Sequence, residues 1–152
     1  MTVTRDDYLA GLADVLPAIR ARSAEAEALG RMPDATVADL DRCGLFVALQ
    51  PRQFGGLEID PATFFESVVQ LGAACGAAGW VGGVLAAHPW ELGCMAAEAQ
   101  TDVRPDNERA RISSSYAPTG TARRAADGFL AQGRSVKPLA PARLLDTRTG
   151  LG

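Results

Sequence analysis

The chain has 152 residues, of which 47% are hydrophobic and 22% charged, and a formal net charge of −3; this suits one globular domain, or one domain and part of a second. With no basic run, the charge pattern speaks against nucleic acid or an anionic membrane as partner. Cys43, Cys75 and Cys94 form an odd, widely spaced set, poor as a disulfide framework or a zinc site, and they read as reduced thiols of a cytoplasmic protein.

In chain order, Arg5, Asp6 and Asp7 bring charges to the N-terminus with no apolar stretch behind them, so no signal peptide is expected. The first helix is expected from Thr4, a candidate N-cap with Asp6 and Asp7 in the favoured first turn. Tyr8, Leu12, Val15, Leu16 and Ile19 recur at helical spacing and predict a buried stripe. Pro17 predicts a kink or break inside it. Helix formers then run to Gly30, a candidate C-terminal cap. A short helix capped near Asp34 follows, with Val37 and Leu40 inward; Gly44 ends it and Leu45 folds back over its last turn.

The stretch LFVALQPRQFGGLEIDP is a long connection in which Pro51, Gly55 and Gly56 argue against regular structure. Asp60 caps the next helix, with Pro61 at its first position and Phe64, Phe65, Val68, Val69 and Gly72 as its inner face. Residues 71–87 carry no charge, close to the length of a membrane span. Gly and Ala dominate them, so close helix packing is the expected reading. A further helix is expected from about Ala77 to Ala87, and Pro89 suits the first turn of a last one through Trp90, Cys94 and Ala97. About five helices thus fill the first hundred residues. After RPDNERAR the texture changes to short segments with turn signals, and Asp127-Gly128 between alternating segments predicts a β-hairpin. In GFLAQGR, Phe129 and Ala131 alternate with Leu130 and Gln132.

His88, in LAAHPWELG, is the only histidine and the one side chain whose ordinary pKa lies near neutrality. It can act as a base or hydrogen-bond a phenol, or it can be structural. Trp90 beside it reads most simply as core. Ser113, Ser114 and Ser115 can bind a ligand from a strand or form its ordinary polar face. No nucleophile triad is established from one histidine and serines of unknown geometry. No phosphate-binding glycine loop, paired carboxylates or metal-ligand spacing is present.

The string LPAIRARSAEAEALGRMPDATVADLDRCGLFVALQPRQFGG resembles the opening of acyl-CoA-dehydrogenase-like flavoproteins. AACGAAGWVGGVLAAHPWELG, followed by ARISSSYAPTGTARRAADGFLAQGR, is similar to the oxygenase components of two-component, reduced-flavin-dependent aromatic monooxygenases. Steroid-degrading phenol hydroxylases and hydroxyphenylacetate hydroxylases belong to that group. The resemblance runs from about Leu16 to Arg134. It implies a mainly α chain: the N-terminal helical domain of the acyl-CoA dehydrogenase fold over 1–104, the first strands of a middle β-domain over 105–134, and an irregular tail unrelated to the family over 135–152.

It further implies hydroxylation of a phenolic or steroid-derived aromatic, using O₂ and reduced flavin (FMNH₂ or FADH₂) from a separate reductase, in a homotetramer. By position, His88 matches the histidine that contacts the phenolic oxygen. Ser114 matches a serine that holds the substrate, and Trp90 is placed with the substrate. Ala117, Pro118, Thr119, Gly120 and Thr121 match the stretch beside the isoalloxazine edge.

After Arg134 the resemblance stops. The family's tryptophan and SSG turn have no counterpart in Ser135, Val136, Lys137, Pro138 and Leu139. The expectation is a truncation or frameshift there, testable in the downstream DNA, and a chain that is inactive and retains no flavin by itself. The alternatives are the N-terminal region of an acyl-CoA dehydrogenase, and a non-catalytic helical module or decayed gene product.

Overall fold

A computed structural model describes residues 3–103, 120–126 and 128–132. Six α-helices occupy the first of these stretches: α1 Arg5–Ala21, α2 Ser23–Leu29, α3 Asp34–Arg42, α4 Pro61–Ala74, α5 Gly76–Gly93 and α6 Ala97–Val103. Two 3₁₀ turns, Leu45–Val47 and Arg52–Phe54, lie between α3 and α4. The strands β1 (Thr121–Ala125) and β2 (Gly128–Gln132) form an antiparallel hairpin, with Thr121 opposite Gln132 and Ala125 opposite Gly128. The chain divides into two compact units, one holding the helices and the other the hairpin.

Local chemistry explains where the helices start and stop. Thr4 and Asp7 form a reciprocal capping box: the Asp7 amide donates to Thr4 Oγ1 at 3.1 Å, and the Thr4 amide donates to the Asp7 carboxylate at 3.2 Å. The threonine bond holds the Asp7 carboxyl below the usual carboxylate range. Gly30 closes α2 in the left-handed region. Asp60 accepts from the Thr63 amide at 3.0 Å ahead of Pro61. At α3, Asp34 is not the cap. It is the first helical residue after Pro33 and is paired with Arg31 at 2.8 Å.

Neither proline interrupts its helix. Pro17 lies inside an unbroken α1, and the break falls at Arg22. Pro17 and Ala13 are both exposed, so water can satisfy the carbonyl that proline leaves without its amide. Pro89 lies inside α5, which runs on to Gly93; it does not begin a new helix. Pro51, Gly55 and Gly56 do not keep the long connection wholly irregular either, since one 3₁₀ turn forms at Arg52–Phe54.

Tyr8, Leu12, Val15 and Ile19 bury the predicted stripe of α1, with Leu16 partly covered. They meet Leu40, Leu45, Phe46, Phe64, Leu71, Ala78 and Ala86 in one cluster. Each fully buried leucine here contributes about 1.5–3 kcal/mol of transfer free energy. The inner face of α4 is Thr63, Phe64, Ser67, Leu71 and Ala74; Phe65 and Val69, expected inside, are 61% and 72% exposed. Apolar residues surround α4, so hydrophobicity alone did not set its rotation. A polar contact helps fix it: Ser67 Oγ donates to the Phe64 carbonyl at 2.6 Å, which leaves it to accept from the Tyr8 hydroxyl at 2.9 Å.

The connection between α3 and α4 is tied by backbone bonds from Leu57 to Val47, Glu58 to Gln50 and Ile59 to Ala48. Gly44 enters it at φ 79°, a conformation a side chain disfavours. A Cβ at Gly56 would lie 1.9 Å from the Gln50 carbonyl oxygen. Among the described residues no helix is long and apolar enough to cross a membrane.

Candidate functional site

His88 sits in the penultimate turn of α5 and is 3% exposed. Its Nδ1 lies 2.6 Å from the carbonyl oxygen of Val84, one turn back. A carbonyl only accepts, so Nδ1 is the donor in this bond. Pro89, the next residue, offers no amide to the Leu85 carbonyl and crowds it.

Trp90 is two positions further along and 49% exposed, not the core residue its setting suggested. Residues two apart on a helix do not share a face. His88 is accordingly turned inward, while Trp90 lines a groove of about 470 Å³ with Leu49, Pro51, Gln53, Glu58, Gly93 and Cys94. The groove brings the α3–α4 connection against the end of α5. A Cβ at Gly93 would come within 2.9 Å of the Pro51 ring, so only glycine permits this approach. Glu58 is held at φ 52°, unusual for a residue with a side chain. Its carboxylate accepts from the Arg52 amide at 2.9 Å, a bond that offsets part of that strain.

Gly120 and Thr121 are exposed at the start of β1. Ser114, Ala117, Pro118 and Thr119 lie outside the described residues, as do the expected boundary at 104 and the tail from 135. Among the described residues no cluster of His, Cys, Asp and Glu could hold a metal ion. Cys43, Cys75 and Cys94 are free thiols, and burial pushes the Cys43 thiol up.

No family model matches the chain. A flavin-dependent monooxygenase, oxygenase subunit HsaA, from Mycobacterium tuberculosis is 44% identical over 125 residues, covering 82% of this chain and 32% of that protein. The crystal structure of the HsaA monooxygenase from M. tuberculosis superposes with a TM-score of 0.80 at 43% identity, covering 85% of this chain and 34% of that one. The chain is homologous to the oxygenase components of two-component flavin monooxygenases. The oxygenase component of an FADH₂-dependent resorcinol hydroxylase from Rhizobium sp. is 37% identical over 126 residues, 83% of this chain and 30% of that protein.

Three features follow for this oxygenase-component homologue. It spans about a third of the length of the relatives it matches. Its helices are those of an acyl-CoA dehydrogenase fold. At most 27 of its 152 residues lie outside the HsaA match, so His88, Trp90 and the 113–121 stretch all fall within it. Leu49, Gln53, Glu58 and Cys94 were not assigned to a site from the sequence. Two glycines and a proline among charged and amide residues were the available signal, since such loops carry function more often than helices do.

Proposed function

We propose that the complete protein to which this chain corresponds is an oxygenase component that hydroxylates a phenolic aromatic with O₂ and reduced flavin delivered by a separate reductase. The observation that carries this reading is the 125-residue match to HsaA, which takes in the buried His88. His88 would draw the phenol toward phenolate, making the ring more nucleophilic. The flavin would supply the activated oxygen. Trp90, Ser114 and the 117–121 stretch would hold substrate and flavin.

The 152-residue chain is proposed not to complete the reaction by itself. Gly120 and Thr121, the two described residues assigned to flavin, are exposed at a hairpin's first strand. These two residues by themselves would offer the ring one edge.

The test is a chimera in which this chain's 1–134 replaces the matching segment of M. tuberculosis HsaA. With reduced flavin, O₂ and a phenol it should form hydroxylated product. His88→Ala should lower the turnover by about 10²–10⁴-fold, the range for a lost acid–base group. A folded, flavin-loaded chimera that hydroxylates no phenol, or one indifferent to His88→Ala, sinks the reading. Tight binding of reduced flavin by the isolated chain would overturn the claim that it cannot work alone.

A further inference from the structure

We infer that Gln100 is a positioning residue for the groove beside Trp90: its side-chain amide holds the end of α5 in the register that sets one wall of the groove. The seven-residue α6 buries one residue, and it is the polar Gln100, 4% exposed. Its Nε2 donates to the carbonyls of Gly93 at 3.2 Å and Met95 at 2.8 Å, on either side of Cys94. The last carbonyls of a helix have no partner within it. At the end of α5 the Glu91 and Leu92 carbonyls take the amides of Cys94 and Met95, and Gln100 serves the next one, Gly93. Turning the amide over would set its oxygen against both carbonyls. Oε1 is buried and has no hydrogen bond among the described residues. An apolar side chain of similar size would avoid that cost, so the two donated bonds are what the glutamine adds.

Gly93 is confined from the groove side as well. A Cβ there would stand 2.9 Å from the Pro51 ring, so a slide of Gly93 along or away from Pro51 changes the width of the groove directly. Trp90 lies three residues earlier, on the same side of α5, and lines the groove together with Gly93 and Cys94. Holding the carbonyls of Gly93 and Met95 therefore holds the wall that carries the indole. The inference rests on the proposed role of Trp90 toward an aromatic substrate, and Gln100 acts on that substrate only through this wall.

The holding can be measured without a phenol. In NMR spectra of the 152-residue chain, the Nε2 protons of Gln100 should exchange with solvent at least about tenfold more slowly than those of the exposed Gln53, because their bonds must open first. Gln100→Met fills a similar space without donors. It should speed exchange of the Cys94 and Met95 amides by at least about tenfold, the ratio that matches the loss of two hydrogen bonds, and by more than it speeds the Leu12 amide in α1. Unprotected Gln100 protons in the parent overturn the inference even where the variant does not fold. Equal speeding at Leu12 and at Cys94 overturns it too, since that is general destabilisation.

The chimera with HsaA supplies the second readout. There Gln100→Met should raise the KM for the phenol several-fold and leave kcat within about twofold, the pattern of lost substrate positioning without lost chemistry. An unchanged KM would overturn the part given to Gln100 in substrate binding. The exchange measurements decide whether Gln100 holds the wall, whether or not the chimera turns over.

Discussion

Among single residues, Tyr8 and Asp39 carry the clearest consequences. Burial pushes the Tyr8 phenol up to about 12 against its bond to Ser67. The folded state therefore holds the phenolic proton more tightly than the unfolded chain, whose tyrosine titrates near pH 10. That contribution is intact below pH 10 and is lost as the pH rises towards 12. Urea melts of wild type should weaken over this window. Tyr8→Phe should flatten that loss while costing about 0.5–1.5 kcal/mol at neutral pH; an unchanged alkaline profile would count against the assignment. Asp39 works at the opposite end. The Arg22 guanidinium bonded to it holds its carboxyl below the usual range, with Arg42 adding a second contact at 2.7 Å. A depressed folded value means stability present above the ordinary pKa, about 3.9, and lost as the pH falls through the folded one. Asp39→Asn should cost about 0.5–1 kcal/mol at pH 7, since water screens the pair, and remove part of the acid-induced loss; equal stability of the two proteins at pH 7 would show the pair to be inert.

At the level of elements, the α4–α5 hairpin turns on glycines whose neighbours differ sharply. A Cβ at Gly79 would sit 2.6 Å from the Gly72 Cα and 2.9 Å from its nitrogen, both backbone atoms, whereas a Cβ at Gly72 would meet nothing within 4 Å. Gly79→Ala should force the helices apart at a cost of about 1–3 kcal/mol. Gly72→Ala should stabilise by about 0.4–1 kcal/mol, through helix propensity and a less mobile unfolded chain. Thermal melts of the two variants should shift in opposite directions, and a shared direction would mean this crossing is misplaced. The same hairpin marks the limit of what could be read in advance. Thr4, Gly30, Gly44 and Asp60 were legible because each acts on its own neighbours. The break at Pro17 and the helix start at Pro89 were misread because a proline's cost depends on what surrounds the carbonyl it leaves, which is a tertiary fact. The rotation of α4 was misread because Phe64 and Phe65 are equally apolar and only the Tyr8–Ser67 contact, 59 residues apart, helps distinguish them. His88 stood out through the resemblance. The groove beside Trp90 joins residues 49–58 to 90–94 through the Gly93–Pro51 approach, and no local pattern encodes that.

For the whole molecule, that rotation has a consequence. Phe65 and Val69 stand one turn apart on the outer side of α4, and Trp80 and Val84 one turn apart on α5, with exposures of 61%, 72%, 76% and 36%. Apolar surface gathered this way on two packed helices is a drive to associate, because hiding it from water is favourable at about 25 cal/mol per Å². The net charge of −3 opposes association only weakly. The purified chain should therefore self-associate across the micromolar range in sedimentation velocity, and added salt should not disperse it, since screening weakens charge pairs and not apolar contact. The double variant Val69→Lys, Trp80→Glu should sediment as a monomer. Its helical circular dichroism should match the parent's, because substitutions at exposed positions usually change stability by no more than about 0.5 kcal/mol. A parent that stays monomeric would show that this face is satisfied within the chain. A variant that associates like the parent would move the contact elsewhere, and β1 and β2, paired only with each other among the described residues, would then be the next edges to test.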